Sequence, residues 1–239
     1  MGRYSVPLGP VFADFATVGA GQRVLDVGCG PGALTAELVR RLGSAAVSAV
    51  DPSESFVTAA QERHPAVDVR RAAAEQLPFE RGVFDVALAQ LVVHFMADPV
   101  AGLAEMGRVT RRDGLVAACV WDHETGTGPL GPFWDAAHQL DPDVHDESTL
   151  AGAREGHLGE LFRDAGMREV EERTVAVSVE HPSFDEWWDP FTLGVGPAGR
   201  YVLGLDVDRR AELRQRCREG FPPAPFVVSA RAWAARGVV

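Results

Sequence analysis

The run Val24-Leu25-Asp26-Val27-Gly28-Cys29-Gly30-Pro31-Gly32-Ala33-Leu34 limits the fold of this chain more than any other stretch. An apolar strand enters a glycine turn, and a helix leaves it. Glycine at 28, 30 and 32 permits positive φ and lets a ligand approach the backbone without a Cβ in the way. The helix that follows aims its positive N-terminal end at the same point. A nucleotide-like small molecule is expected in this turn.

Two classes of nucleotide compete for it. Gly28-x-Gly30-x-x-Ala33 satisfies a loose dinucleotide pattern, and Asp51 follows at the distance of a ribose-binding acid, so NAD and a dehydrogenase are one reading. Asp26 argues for the other, because it offers its carboxylate to a cationic ammonium and would repel a pyrophosphate. Three further segments extend the pattern: Ala49-Val50-Asp51-Pro52-Ser53, then Ala74-Glu75-Gln76-Leu77-Pro78-Phe79 with Phe84-Asp85-Val86-Ala87, then Arg108-Val109-Thr110-Arg111-Arg112-Asp113-Gly114-Leu115-Val116. In this order, over residues 20–121, the four segments resemble the class I S-adenosylmethionine (SAM) methyltransferases, in particular the ubiquinone-type and small-molecule group. The resemblance implies SAM as cofactor, S-adenosylhomocysteine as product, no metal, and methyl transfer to an O, N or C atom of a small molecule. A SAM-binding protein without catalysis is the remaining alternative.

Carried residue by residue, the resemblance places the methionine ammonium at Asp26, the backbone cradle at Gly28, Cys29, Gly30 and Gly32, and the ribose hydroxyls at Asp51 beside Pro52. An ionised carboxylate suits a diol, since it accepts two hydrogen bonds. Phe56 lies one turn into the next helix, where it either covers adenine or packs in the core. Ala73 stands where the family usually has an acid, which leaves the backbone of Ala74 and Glu75 to meet adenine; Glu75 also reads as a turn cap. Gln90 falls at the end of the fourth strand, near the methionine portion. His94 and His123 are the candidate catalytic residues, because imidazole accepts a proton near neutral pH. Each also reads as a satisfied structural histidine.

Beyond the motifs, apolar runs at 23–28, 46–50, 83–89 and 115–121 read as strands buried on both faces, with Val67-Asp68-Val69 a short further one. Helical periodicity fills Leu34 to Leu42, Ser53 to Arg63 and Pro99 to Val109, with Ser53 as an N-cap and Gly43 and Gly114 as helix stops. Val11 to Phe15 reads as a helix leading into the sheet. Leu158 to Ala165 is a closing helix, and 175–179 and 226–234 are closing strands. The expectation is one domain over 1–239: a Rossmann-like, doubly wound α/β sheet of seven strands, mostly parallel with an antiparallel edge strand. Its core is 20–121, its helical lid insertions are about 122–157 and 182–224, and 158–181 and 225–239 close it. Trp121, Phe133, Trp134, Trp187, Trp188, Phe191 and Tyr201 either line an acceptor pocket or form the lid's own core. Gly194 to Gly199 reads as a hinge in that lid.

Charge and composition restrict the partners. The net charge of −11 argues against nucleic acid. The arginines at 209, 210, 214, 216 and 218 read as a solvated helix face. All 23 basic residues are arginine, a compositional bias rather than chemistry. No apolar run reaches the length of a membrane span, the N-terminus lacks a signal pattern, and the three cysteines have no metal-ligand spacing. A cytoplasmic monomer or homodimer acting on a small molecule is the expectation.

Overall fold

The computed structural model describes residues 2–239. Seven strands form one sheet in the order β3-β2-β1-β4-β5-β7-β6. They span Val24–Val27 (β1), Val47–Asp51 (β2), Asp68–Arg71 (β3), Phe84–Gln90 (β4), Thr110–Trp121 (β5), Arg168–His181 (β6) and Phe226–Val238 (β7). The first five are parallel. β7 runs antiparallel to both β5 and β6. The reversed strand therefore lies one place in from the edge, and β6 is the edge strand.

Helices α1 (Gly2–Phe15), α2 (Ala33–Leu42), α3 (Glu54–Arg63), α4 (Pro99–Val109) and α6 (His157–Asp164) accompany this sheet. Two apolar clusters divide the core, one per face. The first joins Leu8 and Phe12 of α1 and Leu34 and Leu38 of α2 to Val86, Leu88, Cys119 and Trp121 of the sheet. The second joins Leu103 and Met106 of α4 and Phe162 of α6 to Leu25, Val27, Val50 and Ala87. Alternate residues of β1 and β4 enter opposite clusters, as two-sided burial of a parallel sheet requires. Local capping fixes α4, where the Asp98 carboxylate accepts from the Ala101 amide at 3.0 Å and Pro99 opens the helix.

The two insertions carry α5 (Gly131–Leu140), between β5 and β6, and α7 (Phe184–Trp188), α8 (Gly196–Gly204) and α9 (Val207–Glu219), between β6 and β7. Rings stack across the two insertions, with Phe133 on Phe191 at 4.6 Å and edge-on to Tyr201 at 6.4 Å.

Several expectations shift. α1 begins well before Val11 and contains Pro7 and Pro10. Gly114 lies inside β5, because pairing with β4 takes up the chain immediately after Val109. Gly194 to Gly199 is not a free hinge: Gly194 ends the Asp189–Leu193 turn in a left-handed conformation, and Gly196 opens α8. At α3 the Ser53 hydroxyl caps nothing; it meets Ser55 instead, at 2.9 Å. On α9, Arg216 pairs with Glu212, and Arg210 donates to the carbonyls of Val202 and Leu205.

Candidate active site

The glycine turn is laced to its neighbours through backbone. The amides of Gly28 and Cys29 both donate to the Val50 carbonyl, at 2.8 and 2.9 Å. Gly28 has φ +69°, and a Cβ there would lie 2.5 Å from the Val92 methyls. Only glycine fits. Gly30, at φ +53°, has nothing within 4 Å of the place a Cβ would occupy, so its open side is the floor on which a ligand would lie. Gly32 is the N-cap of α2, with no side chain bonded to the first-turn amides. The Cys29 thiol is buried, and desolvation raises its pKa well above the usual thiol range.

Two carboxylates flank this floor in different surroundings. The Asp51 carboxylate accepts from the Gly30 amide and from the Ser53 amide, both at 2.9 Å. Each of its oxygens keeps a lone pair for a further donor. Asp26 is buried and accepts from the Thr35 hydroxyl at 2.6 Å. Burial, helped by the nearby Asp51 charge and opposed by Thr35, pushes Asp26 up to about 7. A cationic group beside it would recover the cost of that buried charge. Thr35 is a site residue that sequence reasoning missed; its signal was a hydroxyl in the first turn of the helix leaving the glycines.

Other candidates divide between surface and support. Pro52 is exposed at the head of α3, and Phe56 is 46% exposed, a large ring with little protein against it. Ala74 is buried beyond β3. Glu75 accepts from the amides of Ala97 and Asp98, at 2.8 and 3.2 Å, so its carboxylate holds the loop before α4. Gln90 ends β4 and donates to the Ser5 carbonyl at 3.0 Å. Leu91, immediately after it, has φ +63°. Such a conformation costs of order 1–3 kcal/mol at a non-glycine residue and tends to gather at functional sites.

The two histidines come together, with ring centroids 6.1 Å apart beyond the ends of β4 and β5. Burial pulls His94 down to about 3 and His123 down to about 4. Both are neutral at pH 7 and weak as proton acceptors. Next to His123 a cavity of about 230 Å³ is lined by Asp122, Glu124, Thr125, Trp134, Asp135 and Asp146, among others. Asp122 itself is structural: it pairs with Arg231 and accepts from Thr125 and Thr127. Of the aromatic candidates only Trp134 lines this cavity. Trp121, Phe133, Trp187, Trp188 and Phe191 are buried within the first apolar cluster, with Tyr201 packed against it. Among the described residues no three His, Cys, Asp or Glu side chains converge on a metal site, and no helix is long and apolar enough to cross a membrane.

Comparison with known proteins agrees with this geometry. Residues 25–118 match the model of a methyltransferase domain. An uncharacterized protein of Mycobacterium tuberculosis is 34% identical over 228 residues, covering 89% of this chain and 80% of its own length. Among solved structures, a SAM-dependent methyltransferase of Thermotoga maritima aligns with a TM-score of 0.57 at 18% identity, over 99% of this chain and 90% of that one. A phosphoethanolamine N-methyltransferase of Haemonchus contortus, in complex with S-adenosylhomocysteine, aligns with a TM-score of 0.57 at 15% identity, over 97% of this chain and 52% of that one. The dinucleotide reading is thereby set aside: residues 25–118 carry a methyltransferase domain, and the sheet around them has the fold of SAM-dependent methyltransferases.

Proposed function

We propose that this enzyme methylates a small-molecule acceptor over the carboxyl ends of β4 and β5, with Asp26, the glycine turn and Asp51 holding the cofactor. SAM, when bound, supplies a methyl group already activated on a sulfonium. The observation that carries the small-molecule reading is the cavity of about 230 Å³ between the segment that follows β5, Asp122 to Gly126, and α5. That volume lies at or below the low end of the small-ligand range.

In this reading Gly30 and the uncapped first turn of α2 receive the cofactor's carboxylate end. Asp26 meets the ammonium and loses its proton on doing so. Asp51 accepts from the ribose hydroxyls while its backbone bonds hold it in place. Phe56 covers adenine, and the Ala74 backbone borders it. His94 and His123 are neutral hydrogen-bonding groups that position an acceptor; with their low basicity they are not expected to impose a step near pH 6.5. Water is kept out by the lid, and orientation at the methyl supplies much of the acceleration.

S-adenosylhomocysteine release from SAM tests the reading, measured with a panel of small alcohols, phenols and amines, and separately with bulk tRNA and with histones. Turnover on a small compound and none on the polymers is expected. Label transferred to tRNA or protein, with every small compound inert, would overturn it.

A further inference from the structure

At the carboxyl edge of the sheet, three strands end in a buried polar side chain with an atom that has no partner. Gln90 closes β4, Trp121 closes β5 and His181 closes β6. The atoms are Gln90 Oε1, Trp121 Nε1 and His181 Nδ1. These residues are 9%, 0% and 2% exposed. A buried polar atom left unsatisfied costs about 1–3 kcal/mol, and native proteins contain few of them. All three residues lie against the first turns of α1, Trp121 and His181 at Tyr4 and Gln90 at Ser5 and Gly9, and they call for a common explanation.

The first turns of α1 bring them together. The Tyr4 ring stands edge-on to Trp121 at 6.4 Å and lies 5.9 Å from His181, and the Tyr4 hydroxyl bonds His181 Nε2 at 2.8 Å. Gln90 donates its amide to the Ser5 carbonyl, and a Cβ on Gly9 would sit 3.9 Å from its free Oε1. The glycine turn is close by, because Val92, two residues past Gln90, packs on Gly28. The helix lacks two of its own backbone bonds near its start. Pro7 and Pro10 have no N–H, so the helical bonds to the carbonyls of Arg3 and Val6 are missing. The Arg3–Glu186 pair that ties down the first turn is exposed on both sides, and such pairs contribute little.

We propose that Gln90, Trp121 and His181 form a recognition subsite for an uncharged, hydroxyl-bearing small molecule, with the first turns of α1 as its removable cover. The donor and acceptor inventory selects that class. Gln90 Oε1 accepts only, and Trp121 Nε1–H donates only. A carboxylate would oppose its oxygen to Gln90, and an ammonium would oppose its protons to Trp121. A hydroxyl donates to the first and accepts from the second through one atom. His181 serves it from Nδ1, in whichever tautomer the Tyr4 hydroxyl leaves. This subsite rests on the methyl-transfer reading and names the acceptor class for it.

The test uses the full chain labelled with ¹⁵N at tryptophan, saturated with S-adenosylhomocysteine and titrated with phenol, benzylammonium or benzoate. Of the five tryptophans, the Trp121 indole resonance is assigned by its loss in Trp121→Phe. Phenol is expected to move the Trp121 N–H resonance, with the two ions leaving it in place. Phenol affinity should fall about fivefold or more in His181→Phe. It should rise by about the same factor in Tyr4→Phe, which releases one hydrogen bond of about 1 kcal/mol from the cover. A variant that merely damaged the fold would not bind phenol more tightly. If S-adenosylhomocysteine binds but phenol leaves Trp121 unmoved, or the ions move it equally, the subsite is wrong and the methyl-transfer reading stands. If calorimetry detects no S-adenosylhomocysteine binding to the full chain, the reading beneath it fails and takes the subsite with it.

Discussion

The turn at residues 26–32 is held by backbone bonds to Val50 and by a steric demand at Gly28, whereas the lid over 131–140 and 184–219 is held by ring packing around Phe133 and Phe191. A site built from backbone tolerates almost no change of residue type, and it therefore leaves a readable motif. A roof built from packing needs only apolar volume, which many sequences provide. The proposed cofactor side is accordingly specified by identity and spacing, and the proposed acceptor side by shape.

Substitutions can break this contrast. Phe133→Ala should have the largest effect on stability, about 3–5 kcal/mol, because a fully buried ring is lost between the two insertions. Thermal unfolding should show a fall of about 10 °C, while calorimetry finds SAM affinity changed by less than about threefold. A loss of SAM binding equal to the loss of stability would show that lid and turn are one unit. Gly28→Ala should reverse the pattern. A left-handed alanine costs about 1–2 kcal/mol, and its Cβ would collide with Val92. SAM affinity should drop about 100-fold, with a Tm decrease smaller than that of Phe133→Ala.

Asp26 sharpens the contrast through pH. Its folded pKa is raised to about 7, so its contribution to stability is full below about pH 4 and is lost as pH rises through 7. Asp26→Asn should therefore raise the Tm of the free enzyme by several degrees at pH 8 and leave it unchanged at pH 4. SAM binding by the wild type should weaken below pH 7, by at most about tenfold per pH unit, since one proton must leave. In Asp26→Asn that slope should disappear. The smallest effect is expected at Glu75: Glu75→Gln weakens the bonds from Ala97 and Asp98, costs about 1 kcal/mol in denaturant unfolding, and alters SAM affinity by less than about twofold. A tenfold loss would move this carboxylate from the loop to the cofactor.

Much of the sheet was legible because its inner parallel strands β1, β2 and β4 and the second half of β5 are runs of apolar residues, as at Val24 to Val27, whereas the edge strands β3 and β6 are largely charged or alternating. The placement of the candidate site's acidic and glycine positions at strand ends was legible for the same reason. Thr35 was not, because its role depends on where the first turn of α2 carries a hydroxyl. The row of Gln90, Trp121 and His181 was legible only in part. His181 is 60 residues past Trp121, and nothing local shows that their two strands end under one helix. Gly194 to Gly199 misled because glycine and proline mark the start of a helix as well as a flexible loop. The aromatic run at 184–191 showed a packed unit without showing which side of it faces a ligand.

The measurement that bears most directly on the central claim is calorimetric titration of SAM, S-adenosylhomocysteine and NAD into the wild type and Asp51→Ala. Asp51 holds Gly30 and Ser53 through its two oxygens, and in the proposed binding mode it also accepts two bonds of about 1.5–3 kcal/mol each from the ribose. The account predicts SAM and S-adenosylhomocysteine binding to the wild type, weakening of both by about 100-fold or more in the variant, and no heat from NAD. NAD binding without SAM binding, or SAM affinity unaffected by Asp51→Ala, would contradict it.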